Sequence, residues 1–181
     1  RAHPDESRPG KSSRESVADW AADRQVSALP NVVFVDSSEY LSSYELIQRS
    51  KFVMVYNSTI GLEASLMGAA VLCAGKARFT QLPTVFFPET PEGHRTQAEQ
   101  FLAVQSIEVP AEFRRNARRF LYYQLYKTSL PFSAFLEEDG VWQGYVKLKD
   151  LPYTAFDPRN SETMRVIVDG ILSETPFLIE G

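Results

Sequence analysis

The sequence predicts an α/β fold, a parallel sheet flanked by helices and followed by a mainly helical extension, on three observations. Two short apolar runs, Phe52 to Tyr56 and Ala69 to Ala74, have the branched and aromatic make-up of strands buried on both faces. Between them an apolar pattern of helical period runs through Ile60, Leu62, Ala64, Ser65 and Met67, and Gly68 stops it. A third run, Val32 to Val35, precedes them, so residues 32–75 alternate strand, helix, strand, helix, strand.

Taken in order, Pro4 to Gly10 reads as a loop, and Ser12 or Ser13 caps a helix to about Ala28 with Val17, Trp20 and Ala21 on one stripe. Leu29-Pro30-Asn31 ends that helix before the strand at Val32. Ser42 and Glu45 have capping-box spacing for a helix through Ser50. Asn57-Ser58-Thr59 then supplies polar caps for the helix that begins at Ile60. Beyond Gly75 the pattern loosens. A short strand is expected at Thr84 to Phe87, and a helix from Glu92 to Ala103 presents Ala98, Phe101 and Leu102 to the core. Pro110 suits the first position of a long helix running from Ala111 to about Leu130. Phe132 to Asp139 reads as a short helix or turn, and Gly140 to Lys149 has a weak strand-like alternation. A last helix, Ser161 to Ser173, is capped by Ser161 and buries Met164, Val166, Ile167, Val168 and Ile171. The expected division is an α/β body over 1–109 and the helical extension over 110–181.

Of the 181 residues, 44% are hydrophobic and 23% charged, the balance of a soluble globular protein, and the formal net charge is −4. That charge offers no general attraction to nucleic acid, so none is expected as a partner. The helix from Ala111 is the exception, with Arg114, Arg115, Arg118 and Arg119 beside Tyr122, Tyr123 and Tyr126. Such a strip could hold single-stranded nucleic acid, but four arginines on an amphipathic helix more often form its solvated face or pair with carboxylates. No apolar run reaches the roughly 20 residues that cross a bilayer. Cys73, the single cysteine, lies inside a strand pattern and reads as an inert core thiol.

The chemistry expected of this pattern centres on the turn after Tyr56. A helix that follows the carboxyl end of a parallel strand points free N–H groups and its positive dipole end into the crevice where such sheets bind ligands, which suits phosphate. Asn57, Ser58 and Thr59 add side-chain donors there, and Glu63, one turn on, is placed to meet ribose hydroxyls. An ordinary capped helix is the competing explanation. Lys76 follows the next strand, and Arg1 and His3 follow an apparent earlier one, so all are expected at the same sheet edge. There is no P-loop, GxGxxG, HExxH or CxxC. Two histidines, His3 and His94, are too few to imply zinc, and no metal is expected. The abrupt start at Arg1 reads as the continuation of a longer polypeptide.

Three segments, RAHPDE, SSYELIQRSKFVMVYNSTIGLEASLMGAAVLCAG and NARRFLYYQLYKTSLPF, resemble the carboxyl-terminal half of bacterial capsule polysaccharide biosynthesis proteins, the group that includes Kdo-transferase-like enzymes. The His-Pro pair and Glu63-Ala64 are similar to the wider GT-B class of glycosyltransferases. The resemblance implies a Rossmann-like domain holding a CMP- or UDP-linked sugar donor, without a further cofactor. It implies donor phosphate on Ser58 and Thr59, ribose on Glu63, and base or ribose near Ser42, Ser43 and Tyr44. His3 and Arg1 would stabilise phosphate charge as the sugar leaves. The implied partners are the nucleotide-sugar donor, a polysaccharide or glycolipid acceptor and an amino-terminal domain of the same protein. The implied location is the cytoplasm, with peripheral association at the inner face of the membrane. Without the amino-terminal half, nucleotide binding with little turnover is expected. Two rival functions remain: a sugar-nucleotide 2-epimerase, and a non-catalytic binding or assembly module for polysaccharide synthesis or export.

Overall fold

The computed structural model describes residues 1–7, 14–141 and 144–179. They divide into two compact units, Arg1–Arg49 and Ser50–Gly181.

In the first unit a 3-10 turn at Pro4–Ser7 is followed by helix α1, Val17–Asp23. Ser16 caps α1 by accepting from the Asp19 N–H at 2.9 Å, and Ala21 is its buried residue. The expected caps Ser12 and Ser13 lie outside the described residues. The strand expected at Val32 to Val35 is not formed as a ladder. The segment is extended, with one bond from the Ala2 N–H to the Val35 carbonyl at 2.9 Å, and Val33 is 86% exposed. Four β-favouring residues without a partner strand along their length gain no ladder, whatever their propensity. The chain then turns at Asp36, whose carboxylate accepts from the Ser38 N–H and the Ser37 and Ser38 hydroxyls. These bonds, led by the Ser38 N–H, hold its pKa below the usual carboxylate value. Helix α2, Ser43–Arg49, follows and buries Ile47.

The second unit opens with the pattern the sequence specifies most strongly. Strand β1, Val53–Val55, pairs in parallel with β2, Val71–Cys73, and helix α3, Ile60–Met67, joins them. Gly68 ends α3 at φ 88°, the left-handed conformation that glycine adopts without Cβ strain. The expected strand at Thr84 to Phe87 is reduced to one parallel bridge on the other side of β2: Phe86 donates to Val71 O, and Cys73 donates to Phe86 O, both at 2.9 Å. With neighbours on both sides, β2 is buried throughout. The edge strand β1 is not. Val55 faces α3, where a Cβ on Gly61 would lie 2.8 Å from its methyl, whereas Met54 and Tyr56 are 53% and 72% exposed. The expectation of burial on both faces therefore fails for β1, because α3 covers one face and these two side chains lie on the other.

Helix α4, Pro91–Ala103, is capped by Thr90 and buries Phe101, whose ring meets Phe52 and Phe86 edge-on at 5.3 and 4.9 Å. Leu102, expected in the core, is exposed, one residue round the helix from Phe101. Lys51 donates through Nζ to the carbonyls of Leu102 and Val104, a cation at the negative end of α4. Helix α5, Ala111–Tyr123, has Pro110 at its N-cap rather than its first helical position. It gives way to one π-helical turn at Gln124–Thr128 instead of continuing to Leu130. Strands β3, Leu136–Glu138, and β4, Val146–Leu148, form an antiparallel hairpin. A strand therefore stands at 136–138, where a short helix or turn is expected from the sequence. Helix α6, Glu162–Leu172, is capped by Ser161 as expected. Its buried residue is Thr163, which donates to Pro131 O at 3.0 Å, while Ile171, expected inside, is exposed.

Candidate functional site

The expected phosphate-binding turn lies where β1 hands over to α3. The parallel register continues past the strands, with the Ala74 N–H donating to Val55 O at 2.9 Å and the Gly75 N–H to Tyr56 O at 2.6 Å. Asn57 and Lys76 therefore leave adjacent positions at the carboxyl edge of the sheet, both exposed. That is the edge at which parallel sheets present ligand sites.

Thr59 occupies the N-cap of α3, but it is helical in φ and ψ and no side chain caps the helix there. This corrects the expected capping. The first turn is closed by backbone alone, Gly61 N–H donating to Ser58 O and Leu62 and Glu63 N–H to Thr59 O at 3.0 to 3.2 Å. The N–H groups of Ser58, Thr59 and Ile60 precede these bonds, outside the helical ladder. Cap oxygens not spent on the helix's own amides leave this end open to an outside acceptor. Glu63, half-buried in the first turn of α3, has interactions of its own.

Tyr56 was not among the expected site residues, since it closes an apolar run and reads as a buried strand position. Its ring lies against Gly75, where a Cβ would come within 2.9 Å of it, and it is largely exposed. An aromatic face thus flanks the turn, next to Lys76. The sequence signal that could have revealed it is the glycine two residues after Cys73, which lets the ring lie flat across the neighbouring strand.

Of the other expected residues, Arg1, His3, Ser42, Ser43 and Tyr44 belong to the first unit. Arg1 Nη1 donates to Leu41 O and, at 3.2 Å, to Ser43 Oγ, so the structure brings Arg1 and Ser43 together. His3 accepts the Asp5 N–H on Nδ1 at 3.1 Å and is exposed, as are Ser42 and Tyr44. Asn57, Ser58, Thr59, Glu63 and Lys76 belong to the second unit. The expected residues thus divide between the two units.

Cys73 is buried, and desolvation pushes its thiol pKa up. The thiol lies 3.0 Å from Tyr56 O, within donating distance, which fits an inert residue. His94 in α4 has its Nε2 buried without a hydrogen-bond partner among the described residues. No group of His, Cys, Asp and Glu among the described residues is arranged to hold a metal ion. No described helix is long and apolar enough to cross a membrane. A cavity of about 600 Å³ lies away from the β1–α3 turn, lined by Tyr123, Lys127, Glu162, Arg165 and Asp169 with the chain after Thr175. None of the residues expected to bind the nucleotide-sugar donor lines it.

Neither the curated proteins nor the solved structures provide a match to the chain. A family model does match. It is described as capsule polysaccharide biosynthesis protein, and it covers residues 1–83, from the Arg1 segment through α3 and β2 to the loop before Thr84. Residues 1–83 of the chain are therefore similar to the capsule polysaccharide biosynthesis family.

Proposed function

We propose that the chain supplies the donor-binding part of a glycosyltransferase that builds a capsular or other surface polysaccharide. The observation that carries this reading is the uncapped first turn of α3 at the carboxyl edge of the parallel pair. A helix end of this kind attracts a phosphate through its backbone amides and its dipole, and Lys76 adds a full positive charge at the next strand end. Asn57, Ser58 and Thr59 would complete the phosphate's hydrogen bonds, and Glu63 would accept from ribose hydroxyls. Tyr56 offers a face for the base or the sugar ring. The family match over residues 1–83 supports polysaccharide synthesis as the setting. The reading gives charge neutralisation to the backbone amides and Lys76.

Calorimetric titration with CMP and UDP tests this. Binding of one or both is expected. Glu63→Ala should weaken it roughly fivefold, the equivalent of about 1 kcal/mol for a lost hydrogen bond. Absence of heat with every nucleotide would leave the assembly-module alternative standing. Unchanged affinity in Glu63→Ala would remove Glu63 from the site.

A further inference from the structure

Helix α5 buries one side and leaves the other bare. Inward, Phe113 meets Phe86 edge-on at 5.0 Å, Ala117 is fully buried, and Asn116 donates to Pro83 O at 3.2 Å. At about 100° per residue, Arg115, Arg118, Arg119 and Tyr122 fall together on the opposite side of α5, and Tyr126 follows in the π-helical turn. All five are exposed. The ion pairs among the described residues engage Arg95, Lys147, Arg159 and Arg165, and none of them engages Arg114, Arg115, Arg118 or Arg119. Of the two roles expected for these arginines, the exposed face is formed and the pairing with carboxylates is not made among the described residues. Tyr122 and Tyr126 lie with ring centroids 5.0 Å apart and planes tilted by 34°.

Two features of this stripe call for an outside partner. A row of guanidinium groups engaged in none of the ion pairs among the described residues, in a chain whose net charge is −4, is a local reversal of the overall balance. Two neighbouring tyrosines in water expose apolar rings that a merely solvated face does not need. Guanidinium groups bind carboxylates through paired N–H donors. Tyrosine presents an apolar ring to the C–H face of a sugar and a hydroxyl to its oxygens.

We propose that the α5 stripe is a binding surface for an acidic polysaccharide, with its carboxylates on Arg115, Arg118 and Arg119 and its sugar rings against Tyr122 and Tyr126. From residue 115 to 126 the stripe runs about 16 Å along the helix, enough for a short stretch of glycan. A nucleic acid fits less well. It would seat its bases by stacking them on the exposed aromatic rings. The two rings are packed against each other, leaving no gap for a base between them. Only the choice of a polysaccharide as the polymer leans on the family match over residues 1–83; the charge and the rings belong to α5 and the turn that follows it.

The test is calorimetric titration of the chain, without nucleotide, using alginate oligomers, neutral dextran oligomers of equal length and oligo-dT. Alginate oligomers should bind, at least tenfold more weakly when salt is raised from low to several hundred millimolar. Dextran should bind at least tenfold more weakly than alginate. The double variants Arg115→Ala/Arg119→Ala and Tyr122→Ala/Tyr126→Ala should each lose at least tenfold in alginate affinity. Their unfolding transitions should match that of the parent, since every changed side chain is exposed. Glu63→Ala should bind alginate as the parent does, so failure of the donor reading leaves this result intact. No alginate binding, equal affinity for dextran, tighter binding of oligo-dT, or unchanged affinity in both double variants overturns the proposal.

Discussion

Strands β2 and β4 are each three residues long, yet β2 is buried at every position and β4 exposed at every position. The difference follows from how each is paired. β2 lies in parallel between β1 and Phe86, and a parallel pair needs a crossover, here α3, that covers the sheet as it returns. β4 pairs antiparallel with β3 within a local hairpin, which needs no covering element to close. One short strand is a core and the other is a surface. The stability of the second unit should therefore be concentrated around β2 and α3, the same elements that hold the candidate site.

Leu72→Ala is the most severe way to break that comparison. Leu72 is among the largest fully buried side chains, at the centre of β2. Its truncation removes apolar burial and opens a cavity that the two flanking segments cannot fill without losing their ladder. A loss of about 2 to 5 kcal/mol is expected in denaturant unfolding. A loss well under 1 kcal/mol would mean that β2 is not the core of its unit. Next in size is Gly61→Ala. The added Cβ would lie 2.8 Å from Val55 Cγ2 and 3.3 Å from Phe79 Cζ, so α3 must lift from β1. Overpacking of this kind costs about 1 to 3 kcal/mol. Because Gly61 lies in the first turn of α3, the same variant should also weaken CMP or UDP binding. A variant that is destabilised but binds nucleotide normally would separate the phosphate site from the packing of α3.

The same contrast explains what could be read from the sequence. The segment 52–75 was legible because its strands and helix are told apart by period, its end is marked by Gly68, and both neighbours of β2 are apolar. Phe86 was legible as a strand position in a weaker form, since one bridge is all that forms there. Val32 to Val35 misled because composition reports propensity, and a ladder requires a partner that composition does not specify. The hairpin was half legible: the alternation through Val146 was visible, but Leu136-Glu137-Glu138 has one apolar residue and two carboxylates, too little to mark a strand facing water. At the site, the residue types at the turn were legible and their use was not. Whether Thr59 spends its oxygen on its own helix depends on φ and ψ at one residue, which no spacing reveals.

The mildest test concerns the hairpin itself. Glu137 and Lys147 are register partners on β3 and β4, with Lys147 Nζ 3.1 Å from Glu137 Oε1 and both side chains about half exposed. Water screens such a pair, and ordering two long side chains offsets much of the attraction. Lys147→Ala should change unfolding free energy by no more than about 1 kcal/mol. The comparison makes a sharper demand than the pair alone, because β4 has no buried position through which the loss could spread. Lys147→Ala and Leu148→Ala should therefore both stay far below Leu72→Ala, although Leu148 is as apolar as Leu72. If Leu148→Ala matched Leu72→Ala, something would have to cover that face of the hairpin in solution, and β4 would be a buried strand after all.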